Sequence, residues 1–371
     1  MKNGWKREQL GELCEILDNQ RKPITKRDRT AGRYPYYGAT GIVDYVNDFI
    51  FDEPLVLVGE DGAKWASGEN TAFNVEGKCW VNNHAHVLRP HRKTVLDNWI
   101  VYFLNHSDLS EFVSGLTVPK LNQGNLREIP IPLPPLAEQQ RIVGVLDEAF
   151  AGLATAQANA EMNLQNARAL FESHHHSIFT QRRDGWEEKP LGDVCEYVNG
   201  KAHEQCIDED GRFIVINSKF ISRDGEVLKR SNQALLLLQP GEIAMVLSDV
   251  PNGKALAKCF LVEKANTYTL NQRICLIRSK KFHTKFLFYQ LNRNRHFLAF
   301  NNGENQTNLR LNQILSCPLF LPPLAEQETI AANLDAMSEE TQRLESLYQQ
   351  KLAALAALKK SLLHQAFSGE L

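Results

Sequence analysis

Seven consecutive residues, Leu133-Pro134-Pro135-Leu136-Ala137-Glu138-Gln139, recur letter for letter as Leu321-Pro322-Pro323-Leu324-Ala325-Glu326-Gln327. Other matches accompany them. Trp5 through Glu15 reads W-x4-L-G-E-L-C-E, and Trp186 through Glu196 reads W-x4-L-G-D-V-C-E. Tyr102-Phe103-Leu104-Asn105 corresponds to Tyr289-Gln290-Leu291-Asn292, and Leu121-Asn122-Gln123 to Leu311-Asn312-Gln313. Matches in one order at nearly one spacing mean that a unit has been duplicated within the 371 residues. The period is far too long for a solenoid, whose repeats run ~20–45 residues. Whatever the first half folds into, the second half must fold into as well.

Each repeat has two parts. The first mixes short apolar runs with turn residues. Leu55-Val56-Leu57-Val58 before Gly59 and Ile243-Ala244-Met245-Val246-Leu247 before Ser248-Asp249 read as strands, as do His86-Val87-Leu88 and Ile274-Cys275-Leu276-Ile277. Residues 97–114 and 284–300 read as amphipathic helices. The second part is a long helix, entered through a Pro-Pro pair that fixes an extended approach and suits the residues just ahead of a helix start. From Glu138, apolar or small residues recur at Ile142, Leu146, Ala149, Leu153, Ala156, Ala160, Ala167 and Leu170. From Glu326 the series is Ile330, Leu334, Met337, Leu344, Tyr348, Leu352, Leu355, Leu358 and Leu362. Steps of three and four describe a coiled-coil seam. Forty-odd residues give a rod of roughly 60–65 Å. The expected architecture is α+β: two homologous modules, residues 1–133 and 183–321, and two long helices, 134–182 and 322–371, that pair antiparallel as a coiled coil about an approximate two-fold axis.

Hydrophobic residues make up 43% and charged residues 23%, the composition of an ordinary globular protein. No apolar run is long enough to span a membrane, and the start, Met1-Lys2-Asn3-Gly4-Trp5-Lys6, lacks the core of a signal peptide, so the cytoplasm is the expected location. The 7 cysteines include no Cys-x-x-Cys pair, which argues against a disulfide framework or a zinc finger; they read as reduced and mostly buried. A net charge of −2 is unusual for a protein that binds nucleic acid, but the charge is unevenly spread. Arg21, Lys22, Lys26, Arg27, Arg29 and Arg33 face a single acid, Asp28, in their stretch, and no acid lies between Lys264 and Glu304. The first reading of either run is a solvated basic face, and the overall balance predicts that partner subunits supply much of any phosphate neutralisation.

Motifs for chemistry are missing. Gly59-Glu60-Asp61-Gly62-Ala63-Lys64 has the wrong spacing for a nucleotide-binding loop, and G-x-G-x-x-G does not occur. The Pro-Pro pairs are followed by Leu rather than an aromatic, unlike the catalytic tetrapeptide of amino-methyltransferases. His84-Ala85-His86 would place two imidazoles on one strand face, but no carboxylate or cysteine close in sequence completes a metal site. His174-His175-His176 lies late in the first long helix, where consecutive side chains diverge, and reads as solvated or partner-facing; His203-Glu204-Gln205-Cys206 is an isolated pair. No metal is expected.

The two L-P-P-L-A-E-Q segments, the helices after them and the repeated Trp-Leu-Gly module starts together resemble the specificity subunit of type I restriction-modification systems, over essentially the whole chain. The resemblance implies two target-recognition domains, each reading one half of a bipartite DNA site. It implies that the helical pair spaces the half-sites and docks two methyltransferase subunits, with motor-nuclease subunits adding restriction. The chain itself would then be non-catalytic, with S-adenosylmethionine, ATP and Mg belonging to partners. The rod is long beside one DNA turn of about 34 Å, so modules held apart by it reach segments a turn or more apart.

Sequence is read by polar side chains at base edges, and register is set by phosphate contacts. The candidates in the first module are Lys22, Arg33, Tyr36, Tyr37, Thr40, Asn82, Asn83 and His84, with Lys120 near its end. In the second they are Lys201, Asn217, Ser218, Lys219, Ser248, Asp249, Gln272 and Arg273, with Arg310 near its end. Tyr36-Tyr37-Gly38-Ala39-Thr40-Gly41 has only a loose counterpart at Ile216-Asn217-Ser218-Lys219-Phe220, as two readers of different half-sequences require. Ile142, Leu146, Leu153, Leu170, Ile330, Leu334, Leu344, Leu355 and Leu362 are the expected seam and partner-facing positions of the helices. Two other readings stay open: an adaptor whose modules bind proteins, and an enzyme with dispersed catalytic residues.

Overall fold

A computed structural model describes residues 4–115, 117–180, 184–250 and 253–371. The chain divides into two units, one comprising the residues up to Asn163 with Leu347–Leu371, the other Leu164–Ser346. The module boundary expected at residues 182 and 183 lies outside the described residues.

The first unit runs β1 (Lys6–Gln9), α1 (Leu10–Leu13), β2 (Cys14–Ile16), β3 (Ala31–Gly38), β4 (Gly41–Val46), β5 (Phe51–Asp52), β6 (Leu55–Gly59), β7 (Ala72–Val75), β8 (Lys78–Val81), β9 (Ala85–Pro90), α2 (Asp97–His106), α3 (Gln123–Arg127), β10 (Pro130–Leu133) and the start of α4 (Leu136–Thr180). One antiparallel sheet has the order β2-β9-β6-β7, and a second the order β4-β3-β8-β5, with β3 and β8 parallel. β6 is covered on both faces, which is why it reads as an unbroken apolar run. Val56 and Val58 enter one core with Leu10, Leu88, Trp99 and Ile142; Leu55 and Leu57 enter another with Phe51, Val81 and Val87.

The second unit repeats the plan with β11 (Glu187–Pro190), α5 (Leu191–Val194), β12 (Glu196–Asn199), β13 (Phe213–Ile216), α6 (Ser218–Ser222), β14 (Arg230–Ser231), β15 (Ile243–Val246), β16 (Ser248–Asp249), β17 (Cys259–Leu261), β18 (Tyr268–Leu270), β19 (Ile274–Arg278), α7 (Thr284–Leu291), α8 (Arg295–Leu298), β20 (Thr307–Asn308), α9 (Leu311–Leu315), β21 (Pro318–Leu321) and α10 (Leu324–Ser368). The sheet β12-β19-β15-β17 answers β2-β9-β6-β7. Ile243 and Met245 face one core, Ala244 and Val246 the other. The pairing β11–β21 answers β1–β10.

The identical heptads have a structural reason. Gln139 is fully buried: its Oε1 accepts from Leu96 N (3.0 Å), and its Nε2 donates to Thr94 O (2.9 Å) and Pro134 O (3.0 Å). Gln327 does the same in the second unit, accepting from His283 N (2.8 Å) and donating to Pro322 O (2.8 Å). The amide thus ties the start of the long helix to the N-terminus of α2 or α7, satisfying a backbone donor that the helix leaves free. Further matched pairs lock the same corner. Asn105 exchanges hydrogen bonds with Ala72 N and O, and Asn292 accepts from Cys259 N. Tyr102 donates to Asp147, and Tyr289 to Asp335 at 2.7 Å.

Several expectations need correction. The helix expected over 97–114 ends at His106: Ser107 is extended, and Ser110 N donates to Asp108 Oδ1 in a local turn that competes with the helix. The helix expected over 284–300 is broken into α7 and α8 at Arg293, whose φ of 57° no α-helix continues. The match of Leu121 with Leu311 is two residues out of register. α3 starts at Gln123 and α9 at Leu311, and Leu121 N donates to Glu60 O as Leu309 N does to Leu247 O, so Leu309 is the partner of Leu121.

α4 and α10 are each 45 residues long. They run antiparallel in either unit: Arg141 donates to Leu371 O and Lys359 lies over the Phe150 ring in the first, and Arg168 Nε donates to Glu345 at 2.7 Å in the second. Ile142, Leu146, Ile330 and Leu334 are buried, and Leu153, Leu344, Leu355 and Leu362 are half-buried. Leu170 is not in the seam: it is 66% exposed, and Phe171 takes the inward position. Leu358 is likewise exposed, and the neighbouring Lys359 places its ammonium over the Phe150 ring. His175 is not solvated; its Nε2 donates to Tyr289 O (2.7 Å), its ring packs between Phe171 and Phe179, and burial lowers its pKa. Among the described residues no helix is long and apolar enough to cross a membrane.

Candidate nucleic-acid interface

In the first unit the end of β6 gathers four chain segments. Glu60 N donates to His84 O (2.8 Å), Leu121 N to Glu60 O (2.8 Å) and Asn82 N to Tyr37 O (3.1 Å). Asp61 and Lys120 form a β-bridge. The β3–β4 turn packs onto the same end: a Cβ added to Gly59 would meet the Ala63 Cβ at 2.4 Å and Ala39 O at 2.9 Å, so the close approach requires glycine. Thr40, Asn83 and His84 are exposed there.

Beneath them lies an ion network. Both His86 ring nitrogens face oxygen partners, Asp18 Oδ2 at 2.6 Å and Leu121 O at 2.7 Å. Arg21 pairs with Asp18 and Glu60 and donates to Ala85 O (2.8 Å); Lys120 Nζ reaches Glu60 at 2.7 Å. Burial pushes the Asp18 carboxyl up, but the His86 hydrogen bond and charge, the Val87 N–H and the Arg21 charge outweigh it and hold the pKa below its ordinary value. Asp18, Glu60 and His86 present ligand atoms within 4.8 Å of one another, a geometry compatible with a cation, yet Arg21 and Lys120 already supply counter-charge. The picture of His84 and His86 as a pair without carboxylates is thus corrected. His84 bonds Asp61 and His86 bonds Asp18, carboxylates distant in sequence that only the sheet brings near.

The second unit builds the same end with other side chains. Asn271 N donates to Ile216 O (3.1 Å), Leu247 N to Arg273 O (2.9 Å) and Leu309 N to Leu247 O (2.8 Å). Lys201 bridges Asn271, and Ser248 pairs with Asn308. Arg273 is exposed at φ 69°, a left-handed conformation uncommon for arginine and held by those backbone bonds. Where the first unit continues past Gly38 into a hairpin, the second turns at Asn217, whose Oδ1 accepts from Phe220 N (2.9 Å) and caps α6.

The sheet ends therefore collect Thr40, Asn82, Asn83, His84 and Lys120 in one unit, and Lys201, Asn217, Ser218, Lys219, Ser248, Asp249, Gln272 and Arg273 in the other. Several of these do not present themselves to a ligand. Tyr36 is 1% exposed, with its hydroxyl accepting from Ile24 N (2.9 Å) and Arg29 lying over its ring. Asn82 and Ser248 are buried, Asn82 accepting from His84 N. Asp249 spends its carboxylate on Ala255 N (2.6 Å) and Leu256 N (3.1 Å). These are corrected to supports of the loops, whereas Gln272 is exposed and donates to Glu204. Tyr37 is half-buried against Phe73, Lys22 is exposed, and Arg310 is exposed at the start of α9. Arg33 lies toward the other end of β3, bonded to Tyr34. The solvated basic faces are partly tied down as well: Arg29 pairs with Asp44, Arg278 with Glu196 and Glu242, and Lys285 with Asp335. Sequence reasoning missed Asp18 and Glu60 and took Arg21 only as part of a basic run, because their partners are remote in sequence.

Residues 2–163 and 183–353 each match the family of type I restriction modification DNA specificity domains. The specificity subunit of the MjaVIII type I restriction enzyme of Methanocaldococcus jannaschii is 20% identical over 402 aligned positions, covering 99% of this chain and 93% of that protein. The EcoDI specificity subunit of Escherichia coli is 22% identical, covering 99% and 88%. S.HindORF215P of Haemophilus influenzae is 41% identical over 140 residues, a match spanning 37% of this chain and 35% of that protein. Among solved structures, a chain described under complex assembly and conformational transition of the type I R-M system superposes with a TM-score of 0.76 at 18% identity, over 100% of this chain and 99% of that one. The HsdS subunit of Thermoanaerobacter tengcongensis superposes with a TM-score of 0.57 at 17% identity, over 100% and 98%.

Proposed function

The chain belongs to the family of type I restriction modification DNA specificity domains, which it carries in two copies, and from that premise we propose how it works. It is a specificity subunit, a non-catalytic component that binds DNA by sequence. Each module reads one half of a bipartite, asymmetric site at the sheet end built around Gly59 or Leu247. The observation that carries this reading is the repeated backbone lattice: Glu60–His84, Leu121–Glu60 and Asn82–Tyr37 in one unit, Leu247–Arg273, Leu309–Leu247 and Asn271–Ile216 in the other. One scaffold thus holds two different sets of side chains, His84 and Thr40 against Arg273 and Lys219, as two readers of different half-sequences need. Two methyltransferase subunits dock on α4 and α10, the helices space the half-sites, and motor-nuclease subunits complete a restricting assembly. S-adenosylmethionine, ATP and Mg belong to those partners.

The test is a map of methyladenine in a host expressing this chain with a cognate methyltransferase, against a host lacking the chain. A bipartite asymmetric motif that depends on the chain is the expected result. Soluble proteins without any new methylation would favour an adaptor that binds protein.

A further inference from the structure

The two-residue turn Ala39-Thr40 joins β3 to β4, with Gly38 opposite Gly41. β4 is the edge of its sheet, and it exposes three large apolar side chains: Ile42 (48%), Val43 (53%) and Tyr45 (51%). Apolar edges invite association, and folds usually blunt them with charge, proline or a cover. This one is left bare at the end of the module where the candidate readers converge. The turn touches Gly59 through Ala39 O, and Gly38 lies between Val43 and the Asn82 amide. Exposed cations accompany it: Lys22, Lys26 and Arg27 lie in a segment fastened to the hairpin by Arg29 to Asp44 (3.0 Å) and by Ile24 N to the Tyr36 hydroxyl.

Resting on the reading above, we infer that the exposed edge strand β4 faces the major groove of one half-site, where Ile42 and Val43 read thymine through its 5-methyl group while the nearby cations hold the phosphates. β3 is paired on its far side with β8 at Tyr36 and Tyr37, so β4 is the strand of the hairpin left open to a groove about 12 Å wide, whose apolar floor feature is the thymine methyl. Polar readers such as Asn83 and His84 cannot sense it. A protein-binding edge would have no need of the surrounding cations. The second module also pairs β13 with β14, but through a long connection that contains α6 and not a two-residue turn, so the tight hairpin belongs to one half-site only.

The experiment uses the chain assembled with its methyltransferase, on its mapped target, with each thymine in turn replaced by deoxyuridine, which lacks the methyl. The wild type should lose affinity at one or two positions of a single half-site, about fourfold per methyl group. In the Ile42→Ser, Val43→Ser double variant, thymine and uracil targets should bind alike at those positions, with the other half-site unchanged. Lys26→Ala should instead weaken binding to every sequence and shallow the salt dependence. Equal binding of thymine and uracil targets by the wild type overturns the inference and leaves bipartite recognition standing, as does an unchanged ratio in the double variant. Failure of the double variant to assemble with the methyltransferase without DNA makes the edge a protein interface and overturns it too. Absence of any sequence preference overturns the proposed function and this inference together.

Discussion

Asp18 shows how a single residue braces the candidate interface from beneath. It fixes His86, accepts from Val87 N (2.9 Å) and pairs with Arg21. Its folded-state pKa is depressed below the ordinary 3.8, so its stabilising contribution is fully present above that pH and is lost as pH falls from there through the folded value. Asp18→Asn should therefore give a flatter acid limb in denaturant unfolding measured across a pH series. It should also cost about 3 kcal/mol at neutral pH, because His86 and Arg21 lose a buried partner. Parallel wild-type and variant curves would remove Asp18 from the acid response. Tyr36 teaches the complementary lesson: a tyrosine beside candidate readers is here a core residue with its hydroxyl engaged.

At the scale of elements, the seam of α4 and α10 follows the geometry of a 3.6-residue turn rather than the count of leucines. Leu334 is fully buried in the second core, whereas Leu170 faces solvent one residue from Phe171. Leu334→Ala should cost 2–5 kcal/mol in chemical denaturation, the range for truncating a buried leucine. Leu170→Ala should stay within about 0.5 kcal/mol, as an exposed substitution does. A large loss at Leu170 would mean that the seam has been assigned to the wrong helix face. If Leu170 belongs instead to a surface covered by a partner, its variant should show normal stability and weakened methyltransferase assembly.

For the whole molecule, duplication means that specificity is exchangeable by halves. Replacing residues 183–321 with the corresponding module of another family member should change one half of the methylated motif and leave the other intact. A change in both halves would refute modular reading. The net charge of −2 makes the complementary point that the chain carries no excess positive charge, so tight binding should require the assembled complex.

The sequence by itself determined the duplication, the α+β modules, the two long helices and the family, because repeated heptads, apolar periodicity and Pro-Pro entries are local signals that a linear reading captures. It also pointed to the loops between strands, which carry the exposed polar residues. Only the tertiary structure decided the rest. Whether Tyr36 or Ile42 faces solvent depends on which strand pairs beside β3. Whether Leu170 or Phe171 turns inward depends on the accumulated twist of a long helix. The Asp18–His86–Glu60 network joins residues 68 and 42 positions apart from Asp18, and nothing local in the chain marks them as neighbours. Burial and long-range charge pairing are properties of folded proximity, and they separate a residue that reads from one that holds the reader in place.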